Sequence, residues 1–303
     1  MRVTESMMQS QFLYNLTQAN ANMQTLQLEL STGKTLNQPS DNPLAVSQDM
    51  AIRASLSETT AYSGTIAAGQ MWLSNSSNTL QTMMTTLQSL QSTVLEGLNA
   101  PTASSSARQA LANVAQSDVS NLGQLLNTKV ENRYLFGGFA DQVQPSSYAL
   151  STGTSPSGAS GSIQYTVANG IQVSINVTAT SIMQSTPSGA TQDLQTTLSN
   201  IASDLASGTN AALQSDLSNL QANISQVSDL NASVGARQDR LTALQNQLST
   251  YAQTLSTDKG VIQDANMAQV ITQFNTDQTV YQAALKMGAS ILLPSLVTYL
   301  PNG

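Results

Sequence analysis

By type, the residues best placed to do chemistry are Gly33, Lys34 and Thr35, within STGKTLNQPSDNP at positions 31 to 43. A Gly-Lys-Thr run can close a phosphate-binding loop, in which backbone N–H groups curl round the phosphates and the lysine reaches them. That loop needs a second glycine five positions earlier, and Leu28 stands there. It must also follow a buried strand, whereas the preceding NMQTLQLEL is spaced like one face of a helix. The run is therefore not read as a nucleotide site. The remaining candidates are carboxylates. Asp193, Asp204, Asp216 and Asp229 recur at 11 to 13 residues, singly, as charges on a solvated helix face do. Nothing in their spacing brings two together on one substrate. The chain has no histidine and no cysteine. The usual general base, the Ser-His and Cys-His pairs, zinc–thiolate sites and disulfides are all excluded. No catalytic, cofactor-binding or metal-ligating residue is assigned, and the chain is read as a non-enzyme. A carboxylate-based hydrolase is the alternative of another class.

Composition turns attention to packing. Only 9% of the 303 residues are charged, against 40% hydrophobic, so the chain can bury real cores while copies of it repel one another weakly. Self-association is a reasonable expectation. A net charge of −7, with no basic residue between Arg133 and Arg237, disfavours nucleic acid. No apolar stretch is long enough to span a membrane. The start, MRVTESMMQSQ, lacks an apolar run with a small-residue cleavage site, so export is expected without a cleaved signal peptide.

The elements follow from periodicity. Phe12, Leu16, Ala19, Met23, Leu26 and Leu30 step by 4, 3, 4, 3, 4, the seam of a helix that lies along another helix. Gly33 ends it, and Pro39, Ser40, Asp41, Asn42 and Pro43 supply a turn, a cap and a first-turn proline for the next helix. Residues 31 to 43 are thus a connector, with Gly33, Lys34, Ser40, Asp41 and Pro43 as its marked positions. A second seam holds Ile66, Leu73, Leu80, Met83, Leu87, Leu90 and Val94. A third helix is predicted from about Ser106 to Val130, stopping before NRYLFGGF. Composition then shifts to turn formers, and IQYTVANGIQVSINVT alternates apolar and polar, with Asn169-Gly170 as a hairpin turn. After Pro187 helical spacing returns. Leu213, Leu217, Leu220, Ile224 and Val227 are followed, after one register slip, by Leu230, Val234, Leu241, Leu244, Leu248, Tyr251 and Leu255, predicted as the longest helix. A last seam holds Met267, Ile271, Phe274, Tyr281, Leu285 and Leu292.

These elements predict a mainly α fold, an elongated, discontinuous helical coiled-coil rod built from both chain ends with a small inserted β lobe. Three domains are expected: 1–42 with 258–303 as a terminal coiled-coil assembly domain, 43–140 with 187–257 as a helical rod, and 141–186 as the β lobe. The two middle seams can cover each other within one subunit. The terminal seams cannot do so fully, because Val3, Met7, Leu13, Leu28, Val270, Val280, Leu293 and Leu296 lie off them and require partners. The terminal pair is accordingly expected to order fully only on assembly.

Four segments together resemble a known family. LELSTGKTLNQPSDNPLAVS, NTKVENRYLFGG, LNASVGARQDRLTALQNQL and DANMAQVITQFNTDQTVYQAAL are similar to the helical ends of flagellins and flagellar hook-associated proteins. Asn42, Glu131 and Asn266 depart from that pattern in small ways. The opening MRVTESMM and the ending ILLPSLVTYL resemble junction-type subunits more than filament flagellins. The resemblance implies a structural subunit of the bacterial flagellum at the hook–filament junction, with filament flagellin as the alternative. It implies extracellular assembly in a ring or helix of copies, beside the first hook-associated junction protein and flagellin. It further implies type III export with a cytoplasmic chaperone, and no cofactor. Gly33 would allow a backbone angle that a side chain resists, so that the connector sets how the terminal helices join the rod.

Overall fold

The computed structural model describes residues 2–99, 105–151 and 154–291. In chain order its elements are α1 (Arg2–Thr32), α2 (Pro43–Asn99), α3 (Ser105–Leu126), β1 (Lys129–Val130), β2 (Arg133–Tyr134) and α4 (Ser146–Ala149). They continue with β3 (Gln164–Ala168), β4 (Ile171–Ser174), α5 (Ala179–Met183), α6 (Leu194–Ser207), α7 (Asn210–Gln263) and α8 (Met267–Ile291). The fold is mainly helical, with short strands between the helical ends. Two compact units emerge, one of Met1–Ser57 with Tyr251–Gly303, the other of Glu58–Thr250. The first is discontinuous in sequence and the second is one unbroken segment, and α2 and α7 contribute to both.

In the larger unit, α2 and α7 run antiparallel. Gln245 donates to Ser63, Gln70 to Thr242 and Ser77 to Asn231, so the partner number falls as α2 advances. Ile66, Leu73, Leu80, Leu87 and Val94 recur every seventh residue and are fully buried, with Met83 and Leu90 between them. Across the interface Leu213, Leu220, Val227, Val234 and Leu241 repeat the same interval. A strict seven-residue repeat keeps a seam facing its partner along helices of this length. The slip expected near Leu230 does not break this row. It is confined to the flanking positions, where Leu217 and Ile224 follow the buried row by four residues and Leu230 and Leu244 by three. At 57 residues against 54, α2 rather than α7 is the longest helix.

The third helix stops at Leu126, short of the predicted Val130. Lys129 pairs with Tyr134 and Val130 with Arg133, and the two residues between them, Glu131 and Asn132, have φ of 49° and 67°. Two consecutive positive φ values make the tight hairpin turn that no helix can pass through. Beyond the turn Leu135 and Phe136 are fully buried. Arg133 pairs with Asp141 and lays its guanidinium over the Trp72 ring at 5.5 Å.

The predicted hairpin forms as β3 and β4, with Tyr165 opposite Val173 and Ala168 opposite Ile171 across the Asn169-Gly170 turn. Two short strands cannot support a core alone. Val167, Val173, Ile175 and Val177 are buried in one cluster with the leucines of α2, α6 and α7, and Arg237 of α7 donates to the Asn176 carbonyl at 2.9 Å. The strands are thereby anchored to the helices.

Candidate functional site

The smaller unit contains the terminal helices and the connector. Along α1 the predicted seam is the half-buried stripe: Phe12, Leu16, Ala19, Met23, Leu26 and Leu30 each lose part of their surface while the positions between them, Glu29 excepted, stay exposed. It packs antiparallel on α8. The α8 stripe is not the predicted one. Val270, Phe274, Asp277, Tyr281, Ala284 and Gly288 turn inward, again at steps of 4, 3, 4, 3, 4. Phe274 and Tyr281 were in the predicted seam. Met267, Ile271 and Leu285 are instead 40%, 47% and 45% exposed, and Leu292 lies outside the described residues. Val270, assigned from sequence to an uncovered face, is 7% exposed. The physical reason is close approach. A Cβ added at Gly288 would fall 2.2 Å from Cζ of Phe12, so the phenyl ring occupies the hole a glycine leaves, and the stripe containing small residues wins over the one with larger apolar side chains. Nearer the connector, Met23, Gln27, Phe274, Tyr281 and Leu285 line a groove of about 320 Å³.

Outside this pairing both helices expose apolar side chains. Met7, Met8, Leu13, Tyr14 and Leu28 do so on α1, and Met267, Ile271, Val280, Leu285 and Met287 on α8. Exposed singly, such residues are ordinary. Here they recur along both helices of one pair, and apolar surface left uncovered in this way is what association faces present.

The connector is held by a clasp joining residues distant in sequence. Gly33 ends α1 with φ +68°, its N–H donating to the Glu29 carbonyl at 2.8 Å, a left-handed helix cap. Its carbonyl accepts from Ala265 N–H at 2.9 Å, and Thr35 N–H donates to the Gln263 carbonyl at 2.8 Å. The Thr35 hydroxyl reaches the same carbonyl at 3.1 Å, and Lys34 bridges to Asp264 through its backbone. Gly33, Lys34 and Thr35 thus follow a helix and pair with another chain segment, which is incompatible with a phosphate loop. The Lys34 carbonyl accepts from the Asn37 side chain, and Asp41 Oδ2 accepts from the N–H groups of Asn37 and Gln38 at 3.0 and 2.8 Å. Ser40 lies exposed in the same turn. Asn42 Oδ1 caps α2 by accepting from Ala45 N–H, and Pro43 opens the helix. Burial, and then the charge of Asp41, raise the Glu29 carboxyl above its ordinary value.

Gln263, 2% exposed, anchors the clasp. Its side-chain oxygen accepts from Arg53 at 3.4 Å, and Arg53 pairs with Asp49 at 2.6 Å. Sequence reading singled out neither Gln263 nor Arg53. No local signal marks them, because Thr35 and Gln263 stand 228 positions apart.

The four aspartates divide by role. Asp193 caps α6, its Oδ1 accepting from Thr196 N–H at 2.8 Å, and Asp229 is exposed. Asp204 and Asp216 are not isolated as predicted. Folding brings the two carboxyls within hydrogen-bonding reach, and Asp216 is only 3% exposed, too buried to meet a substrate. Among the described residues no group of three or more metal-ligating side chains forms, and no helix is long and apolar enough to cross a membrane.

Comparison with known proteins agrees with this geometry. Residues 3–141 match the bacterial flagellin N-terminal helical region and residues 217–300 the bacterial flagellin C-terminal helical region. Flagellar hook-associated protein 3 of Salmonella typhimurium is 26% identical over 146 residues, 48% of this chain and 46% of that protein. The match spans about half the length of that curated relative. A Vibrio parahaemolyticus structure described as a flagellar hook-associated protein superposes with a TM-score of 0.65 at 20% identity, over 74% of this chain and 99% of the other. The flagellar junction protein FlgL of Legionella pneumophila gives 0.59 at 15% identity, over 71% and 99%.

Proposed function

The chain belongs to the bacterial flagellin family, and from that membership we propose that it is a structural subunit of the hook–filament junction, adapting hook to flagellin filament. The observation that carries this reading is the uncovered apolar surface on α1 and α8, with Met7 and Met8 70% and 63% exposed, set beside relatives that are themselves hook-associated and junction proteins. Copies of the chain cover that surface in a ring or helical array, which a head-to-tail interface builds. The first hook-associated junction protein lies on one side and flagellin on the other. The segments 1–42 and 258–303 act as the assembly domain, 43–140 and 187–257 as the rod, and 141–186 as an outward lobe. The terminal pair reaches its full order as neighbours dock. The subunit is exported through the flagellar type III channel, held beforehand by a cytoplasmic chaperone, and works outside the cell without catalysis.

Deleting the gene tests this. Bare hooks on the cells with flagellin shed into the medium are the expected outcome. Full-length filaments on the deletion strain would overturn the junction role, and purified chain that extends flagellin seeds by itself would identify a filament subunit instead.

A further inference from the structure

We propose that Asp204 and Asp216 form a proton-operated latch at the α6–α7 corner: one proton shared by the two carboxyls holds the helices together, and its loss as pH rises loosens the corner. Asp204 sits in the last turn of α6 and Asp216 in the second turn of α7, on either side of the short link through Gly208 and Thr209. Asp216 is buried, and its Oδ2 accepts no hydrogen bond from the protein. A buried carboxylate oxygen without a donor is costly, and a second carboxylate alongside raises the cost. Protonation removes both penalties, because the new O–H can donate to Asp204.

The surrounding charges do not relieve the pair. From α3, Arg108 directs its guanidinium to main-chain oxygens, donating to the carbonyls of Leu205, Asp204 and Gly208. From α2, Gly97 faces Leu205, Leu111 and Leu213, and its neighbour Glu96 is exposed. Burial first, and then the charge of Asp204, accordingly push the Asp216 carboxyl up from 3.8 to about 6. A carboxyl raised on folding contributes stability that is complete below its unfolded value and is lost as pH rises through its folded value. The corner is therefore tightest near pH 4 and loosens up to about pH 6.

Native-state hydrogen exchange on the full chain reads this directly, following amides of residues 204–216 between pH 4 and 7 with the intrinsic pH dependence of exchange removed. The opening constant is expected to rise by about tenfold per pH unit up to about pH 6 and then level off. Asp216→Asn should abolish the rise, and Asp204→Asn should move its end to lower pH. Asp193→Asn, at the far end of α6, should retain the wild-type profile. A flat wild-type profile, or an undiminished rise in Asp216→Asn, overturns the latch. Should Asp216→Asn fail to fold, an unshifted profile in Asp204→Asn overturns it equally.

Discussion

Substituting Gly33 isolates a backbone angle from packing. A Cβ at Gly33 would meet no heavy atom within 4 Å, and φ there is +68°, so any penalty is conformational. Left-handed backbone costs an L-residue about 1–2 kcal/mol. For alanine, reduced freedom of the unfolded chain returns about 0.4–1 kcal/mol, leaving a net loss of about 1 kcal/mol. Asparagine tolerates the region and should lose less, whereas β-branched valine should lose most. If valine leaves the region, the clasp bonds from Ala265 N–H to the Gly33 carbonyl and from Thr35 N–H to the Gln263 carbonyl are lost too, at about 1 kcal/mol each. The loss for valine is then about 2 kcal/mol, in place of the left-handed penalty it has escaped. Since about 1.4 kcal/mol is a tenfold change, the amides of Thr35 and Ala265 should exchange at least tenfold faster in Gly33→Val and only slightly faster in Gly33→Asn. Cells carrying Gly33→Val should secrete the protein normally yet swim poorly in viscous medium. Equal behaviour of the valine and asparagine variants would refute the backbone-angle argument, and wild-type exchange in all three would show that the clasp does not depend on this cap.

Two further predictions concern packing in each unit. Arg108→Ala removes charge-assisted bonds to the carbonyl end of α6 and should cost about 2–3 kcal/mol in urea unfolding. Arg108→Lys should recover less than half, because lysine lacks the planar fork, and a loss below about 0.5 kcal/mol in the alanine variant would contradict the clamp. Gly288→Ala would normally gain about 1 kcal/mol of helix propensity. Here the contact with Phe12 should turn that gain into a net loss of up to about 2 kcal/mol by overpacking. Adding Phe12→Leu should restore stability, and a double-mutant cycle with no coupling would show that the ring does not sit over the glycine.

Local and periodic features were legible without a fold. The seven-residue rows of α2 and α7, the Asn169-Gly170 hairpin, the glycine that stops α1 and the Asn42-Pro43 start of α2 each depend on neighbours within a few positions, where residue type and spacing decide conformation. The α1 seam was legible too, because its apolar residues occupy one clear stripe. On α8 apolar residues lie on several faces, so periodicity established the helix but left its rotation open. Only the partner chose the stripe through Val270, Phe274, Tyr281 and Gly288, since Phe12 needs a hole and a hole is a missing side chain that hydrophobicity does not register. The Gln263 clasp and the Asp204–Asp216 pair were illegible for a related reason. Each joins polar groups from separate segments, and polar residues carry no periodic signal, so burial and partnership arise only when helices far apart in the chain fold back beside one another.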